Sequence, residues 1–413
     1  MKAESADILI AGAGAAGLAL AAALADALGA QARIVVLDRD GLEPAAPGGP
    51  EDPRAYAIAA ASRQLMAALG AWQEVADHAQ PVSAIEITDS SLGDAFRPRL
   101  LGYDNRLEDT SPATFIVSDQ RLRDSLLAAA RRRPGVVLEA RTSITAVAID
   151  GGSARLTLAD GRQLAAPLVV AADGRGSTVR AAAGIKTVQW DYGQTGIVTT
   201  VRLAKPHNGR AVQHFLPAGP FAILPLTDNR ACITWSEETQ RARAILALDE
   251  TGFRRELEMR FGTRLGEIAA IGPRQSWPLK MHLARSLVAQ RVALAGDAAH
   301  GVHPLAGQGL NLGLRDVAAL TEVIADAARL GLDIGSAPVL ERYERWRRAD
   351  SVMSAFAYDA LNRLFSNDAG LLRTLRDAGL GLVDRMPGVK QLLVREAAGL
   401  TGEVPKLLRG MPV

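Results

Sequence analysis

Residues 7–40, DILIAGAGAAGLALAAALADALGAQARIVVLDRD, constrain this chain more than any other stretch. They read as an apolar strand over 7–11, a glycine turn, an alanine-rich helix to about residue 29, and a second strand ending at Asp38. That order is a βαβ unit. Gly12 permits the tight turn, Gly14 lets the backbone approach a pyrophosphate, and Gly17 lets helix pack closely on strand. The helix opens with Ala15 and Ala16, so free N–H groups and the positive end of its dipole face the phosphates. Asp38, 21 positions after Gly17, stands where a carboxylate takes hydrogen bonds from a ribose, with Arg39 beside it. The strand before, the helix after and the acid at this spacing indicate a dinucleotide site rather than a bare glycine turn. The unit itself does not choose between a nicotinamide and a flavin.

Composition narrows the partners. The 47 basic and 45 acidic groups among 413 residues leave a net charge of +2, which excludes a nucleic-acid footprint on charge grounds. A single cysteine, Cys232, excludes a disulfide framework, a CxxC redox pair and a multi-thiolate zinc site, and fits a reducing compartment. Residues 8–25 carry no charge over 18 positions, nominally a membrane span or signal core. Three glycines interrupt that run, and Glu4 and Asp7 precede it where a signal peptide would carry positive charge. A cytoplasmic protein is expected.

Further along, EDPRAYAIAAASRQLMAALGAW looks like a loop entering a helix, and its Asp52 and Arg54 fit a surface ion pair as well as an arginine reaching a ligand. The stretch 93–112 has no clear pattern. Residues 136–171 alternate in period two, with turns at Gly151-Gly152 and Asp160-Gly161. From 192 to about 277 the chain is strand-rich, with one helix near 241–261, and from Gly309 it is chiefly helical.

A second ligand-facing loop lies far from the first. In RVALAGDAAHGVHPLAGQGLNLGLRD an apolar strand places Asp297 at its carboxyl end, where ligands of an α/β sheet gather, and a long helix begins soon after. Asp297, His300 and His303 are too few for a metal site, and none is expected. No GxSxG elbow occurs, and Cys232 has no evident base. Two such loops imply a ligand longer than one βαβ unit holds. FAD fits, with its pyrophosphate on the first loop and its ribityl chain and isoalloxazine on the second.

The segments GAGAAGLALAAALA, DPRAYAIAAASRQLMAALGAW, ADGRGSTVR and GDAAHGVHPLAGQGLNLGLRD, with YERWRRAD and DALNRLFSND, resemble the ubiquinone-biosynthesis hydroxylases, a branch of the class A FAD-dependent aromatic monooxygenases. The likeness spans nearly the whole chain. It implies that Gly296 and Asp297 bind the ribityl chain, and that the backbone from Pro304 through Gly307, Gly309 and Leu310 to Asn311 faces the isoalloxazine. It implies that Asp173 and Gly174 form a motif shared by FAD and NAD(P)H, and it places Arg54 and Arg121 near the flavin, although Gln120 stands where many relatives have asparagine. The implied reaction uses NADH or NADPH as a transient co-substrate and O2 to hydroxylate a prenylated phenol of ubiquinone biosynthesis through a flavin C4a-hydroperoxide. His303 is the candidate phenol base, with a structural role as its alternative, and Pro304 adjoins it.

The implied fold is α/β: a Rossmann-like FAD-binding domain over 1–75, 113–185 and 278–345, an interleaved antiparallel-sheet substrate domain over 76–112 and 186–277, and a helical C-terminal region over 346–413. His214, Phe215, Pro217, Phe221 and Leu224 are candidates for the substrate wall, with sheet core as the other reading. From Gly370 onward seven Lys or Arg face four Asp or Glu among leucines, a net of +3, which fits contact with the inner membrane or a quinone-biosynthesis assembly beside ordinary helix packing. A homo-oligomer is compatible with the sequence. The competing functions are a flavin hydroxylase of another aromatic substrate and a non-catalytic FAD-bound scaffold.

Overall fold

The uncharged N-terminal run divides at its glycines into the strand Ile8–Ala11 and the helix Ala15–Leu28, followed by the strand Ile34–Leu37. The computed structural model describes residues 3–44, 52–90, 92, 97–150, 152–262, 265–303, 307–366, 379, 381 and 383–413. Ile8–Ala11 pairs in parallel with Ile34–Leu37 on one side and Leu168–Ala171 on the other. The sheet continues in parallel to Val136–Glu139 at one end and Val292–Leu294 at the other, where Val288–Ala289 adds an antiparallel edge. Ile8–Ala11, Ile34–Leu37 and Leu168–Ala171 are buried throughout, which explains their unbroken apolar sequence. Because the strands are parallel, the turns after Ala11, Ala171 and Leu294 emerge side by side.

The alternating segments Ile144–Asp150, Ser153–Leu158 and Gln163–Ala166 form an antiparallel meander edged by Glu4–Ser5. Val136–Glu139, similar in appearance, instead joins the parallel sheet as a half-buried edge.

An eight-stranded sheet forms the second layer, in the order His300–Gly301, Ile268–Ala284, Thr187–Leu203, Arg230–Glu238, Gly219–Leu226, Arg210–Leu216, Ala84–Asp89, Leu101–Asp104. One face, with Ile197, Phe221, Ile233 and Trp235, packs on Phe253, Leu257 and Phe261 from the helices Thr239–Leu246 and Glu250–Phe261. The opposite face, with Val198, Leu226 and Cys232, packs on Ala57 and Ile116 of a small sheet made by Ala55–Ala59, Thr114–Ser118 and Gln80–Pro81. This second face looks toward the nucleotide-binding layer. Burial there pushes the Cys232 thiol up to about 12, so it is no nucleophile at neutral pH.

Four local expectations change. Residues 55–59 form a strand rather than a loop, because pairing with Thr114–Ser118 overrides the weak strand preference of alanine. The helix expected near 241–261 is two: the first ends at Leu246, and Asp249 caps the second by accepting from the Gly252 amide at 2.7 Å. Leu101–Asp104, in the stretch without pattern, is an edge strand paired with Ala84–Asp89. The strand Ile268–Ala284 crosses the expected boundary at 277.

Among the described residues no helix is long and apolar enough to cross a membrane. The helix Gly309–Arg329 lies against Ala15–Leu28, and the helix Ala337–Phe365 packs on Gly309–Arg329.

Candidate functional site

The first loop is shaped by close approach. Gly12 has φ +99°, and a Cβ there would sit 2.3 Å from the Ala172 carbonyl oxygen; at Gly17 it would sit 1.9 Å from the Gly12 oxygen. Gly14 differs: among the described residues no atom lies within 4 Å of a Cβ built on it, so the space beside it is open. The helical ladder starts with the Leu18 amide on the Gly14 carbonyl, so the amides of Ala15, Ala16 and Gly17 have no intrahelical acceptor. Asp38 pins this loop by accepting from the Ala13 amide at 2.5 Å and the Asp40 amide at 2.8 Å. Its carboxylate therefore has a structural task, although two oxygens offer more lone pairs than two amides use. Arg39 is exposed, and its nearest acid is Asp40 at 3.9 Å.

The turns after Leu168–Ala171 and Val292–Leu294 complete the rim. Asp173 caps the next helical turn by accepting from the Thr178 amide at 2.8 Å, and its other carboxylate oxygen is buried without a partner among the described residues. Gly174, at φ +79°, has open space where a Cβ would be. Gly296, at φ +60°, brings its backbone against Ala16, where an added Cβ would lie 3.2 Å from the alanine methyl. The first and second loops thus touch. The half-exposed Asp297 side chain meets Arg175 Nε at 3.2 Å, and its carbonyl accepts from His282 Nε2 at 2.7 Å.

Pro304 lies outside the described residues. Gly307 has φ +61° and backs onto Ala57. Gly309, Leu310 and Asn311 open the long helix, and the first intrahelical bond runs from the Leu312 amide to the Gln308 carbonyl, so their amides have no intrahelical acceptor either. The Asn311 side chain is committed to the protein: it accepts from the Ala59 amide at 3.0 Å and donates to the Ala57 carbonyl at 2.8 Å. It ties the helix start to the strand Ala55–Ala59.

Beneath the second loop is an ionic cluster that sequence reading missed. Asp316 accepts from the Gly296 amide at 3.0 Å, from His300 Nε2 at 2.7 Å and from Arg347 Nε at 2.8 Å, with all three side chains buried. Arg347 also pairs with Asp350, which takes Arg315 at 2.9 Å. Burial alone would lower the His300 pKa, but the Asp316 carboxylate outweighs it and holds the imidazole above its usual range. Burial would raise Asp316, and its two cationic neighbours hold it below the carboxylate norm. Arg347 and Asp350 stand three apart on one helix, and the partner of Arg347 on another helix, Asp316, is not marked by any spacing in the sequence.

Arg54, at the start of Ala55–Ala59, is clasped by Asp52, with Nη2 at 2.6 Å from Oδ2, and by Asp119 at the same distance. The ion pair is present, and the Arg54 side chain as a whole stays 39% exposed. Arg121 is exposed two positions beyond Asp119, its charge felt at Asp124.

His303 is buried, neither ring nitrogen has a hydrogen-bond partner among the described residues, and the ring stands edge-on to Tyr192 with centroids 5.1 Å apart. Burial pushes its pKa down to about 4, against the pull of Asp359, so the ring is neutral at pH 7. Asp359 takes Trp190 Nε1 and Arg363 Nε, each at 2.9 Å.

The five candidate wall residues do not share a face, because neighbours along a strand point oppositely. His214 and Phe221 are directly paired and stacked on the side covered by helices, where His214 Nδ1 meets Thr88 Oγ1 at 2.7 Å. Phe221 is core. Phe215 and Leu224 have the opposite parity and face the nucleotide-binding layer, with Phe215 stacked on Phe365 at 3.9 Å. Pro217 lies in the turn between the strands.

Over residues 5–353 the sequence matches the FAD binding domain family. It is 43% identical over 411 residues to the ubiquinone hydroxylase UbiL of Rhodospirillum rubrum, covering 99% of this chain and 94% of the relative. It is 33% identical to 3-demethoxyubiquinol 3-hydroxylase of Escherichia coli, covering 97% of this chain and all of the relative. The fold matches crystalline p-nitrophenol 4-monooxygenase of Pseudomonas putida with a TM-score of 0.79 at 20% identity, over 97% of this chain and 99% of that one.

Proposed function

Because the chain belongs to the FAD binding domain family and, within it, to the ubiquinone-biosynthesis hydroxylases, we propose that it is a FAD-dependent aromatic-ring monooxygenase. It uses NADH or NADPH and O2 to hydroxylate the ring of a prenylated phenol intermediate of ubiquinone biosynthesis. The observation that carries this reading is whole-length likeness to a ubiquinone hydroxylase.

The chain's own residues fit FAD. Among the described residues, open space at Gly14 and Gly174, the unpartnered buried oxygen of Asp173 and two helix starts whose amides have no intrahelical acceptor converge on one rim, as a long ligand with a pyrophosphate requires. In this reading residues 12–17 and Asp38 hold the pyrophosphate and ribose end, and Gly296 and Asp297 the ribityl chain. The backbone from Gly307 to Asn311 borders the ring, while Arg54, Arg121, Asp173 and Gly174 lie along the margin. When bound, FAD supplies the electron transfer and oxygen activation.

The substrate ring lies between that rim and the sheet face carrying Phe215 and Leu224. There a neutral His303 takes a hydrogen bond from the phenol hydroxyl on a ring nitrogen that no group among the described residues satisfies. Its burial beside Tyr192 keeps water from the reacting carbon. The sheet is the substrate domain. The C-terminal segment contacts the membrane that carries the substrate, through Leu392 and Leu393, exposed beside Lys390 and Arg395.

The test is substrate-stimulated NADPH or NADH oxidation by the yellow holoenzyme under 18O2, with the label expected in the ring. Reduction of a prenyl double bond without O2, or no stimulation by any prenylated phenol, would refute this reading.

A further inference from the structure

An apolar groove runs along the surface beside His303. The paired strands Thr187–Leu203 and Ile268–Ala284 contribute Val188, Trp190, Met281 and Leu283, and the helix Ala337–Phe365 contributes Val352 and Phe356. It encloses about 290 Å3. Val188 and Phe356 are 42% and 55% exposed, apolar surface that a folded chain ordinarily covers.

The inner wall of the groove belongs also to the ring site. Trp190, Met281 and Leu283 sit in one apolar cluster with Val302 and Tyr192. Val302 immediately precedes His303, and Tyr192 is its edge-on neighbour. Met281, buried in that cluster yet lining the groove, has the adaptable side chain that a passage between them needs.

We propose that this groove binds the prenyl tail of the substrate where it leaves the ring site, an inference that rests on the function proposed above. An isoprenoid chain offers only apolar surface, and its burial is favourable roughly in proportion to its carbon count. A fatty acid or anionic lipid would instead use Arg285 and Arg348 at the groove margin, so a lipid source is separated by experiment.

The experiment compares wild-type holoenzyme with Val188→Arg and Phe356→Arg, both at exposed positions where folding tolerates a charge. Each is assayed for NADPH oxidation and product with a phenol lacking a tail and the same phenol carrying a farnesyl tail. Wild type is expected to favour the farnesylated phenol at least tenfold in kcat/KM, and each variant to cut that ratio at least tenfold, mainly through KM. An unchanged ratio in both variants overturns the groove assignment while leaving the function standing. A kept ratio with lost binding to phosphatidylglycerol vesicles reassigns the groove to lipid and likewise overturns it. No stimulation of wild type by either phenol overturns the functional reading, and this inference with it.

Discussion

Asp316→Asn removes one charge and almost no volume, yet it should disturb both stability and flavin retention. One carboxylate oxygen receives the Gly296 amide and His300 Nε2, and the other receives Arg347 Nε. An asparagine must turn its NH2 toward one of these donor sets, so either Gly296 or Arg347 faces another donor. Removing one partner of a buried ion pair costs about 3–5 kcal/mol. With an unfolding entropy of roughly 2 cal/mol/K per residue, 413 residues give about 0.9 kcal/mol/K, so the melting temperature should fall by about 5 °C. The loss should depend on pH in a definite sense. His300 has a raised pKa, so its contribution is complete below its unfolded value of 6.5 and disappears as pH rises through the higher folded value. Asp316 has a lowered pKa, so its contribution is complete above its unfolded value of 3.8 and disappears as pH falls through the lower folded value. The gap between wild type and variant should therefore be widest at pH 4–6.5 and shrink in alkali, read by thermal melts at pH 5.5 and 8.5. Flavin absorbance after gel filtration should fall in parallel, since Gly296 orients the Asp297 turn. A shift under about 1 °C at pH 5.5, or an equal shift at both pH values with full flavin, would refute this account.

Asp297→Ala should weaken FAD retention by an order of magnitude or more without changing the circular dichroism of the protein, because its half-exposed side chain makes one ion pair; normal occupancy and turnover would sink its assignment. Gly17→Ala should fail to fold or lose several kcal/mol, since its methyl would lie 1.9 Å from the Gly12 oxygen, whereas Gly14→Ala should fold normally and bind FAD poorly because its methyl meets no atom among the described residues. Equal melting temperatures for the two glycine variants would refute the distinction. His303 has a lowered pKa, so between 6.5 and about 4 the unfolded chain takes up a proton that the folded chain does not, costing roughly 3 kcal/mol of stability by pH 4. His303→Leu should melt with weaker acid dependence over that range, and an unchanged pH slope would contradict its burial as a neutral ring.

Legibility followed the range of the physics involved. The βαβ unit was readable because its glycines, apolar strands and acid all act within 32 residues, from Gly12's neighbour strand at Ile8 to Asp38's turn at Arg39. The substrate wall was harder: alternation placed apolar residues along Arg210–Leu216 and Gly219–Leu226, but which parity faces the flavin layer depends on what covers each side. Phe221 and Leu224 are alike as sequence and opposite as structure. Ala55–Ala59 was missed because its strand character comes from a partner about sixty residues away.

The sequence by itself determined that this chain holds a dinucleotide on a parallel sheet, because glycine geometry, strand burial and helix dipoles are local properties of residue order. Only the tertiary structure decided what the second loop rests on. Parallel pairing set Gly296 against Ala16, and helix packing brought Arg347 and His300 onto Asp316. A buried charge needs its partner in space, and nothing in the spacing of these residues along the chain names that partner.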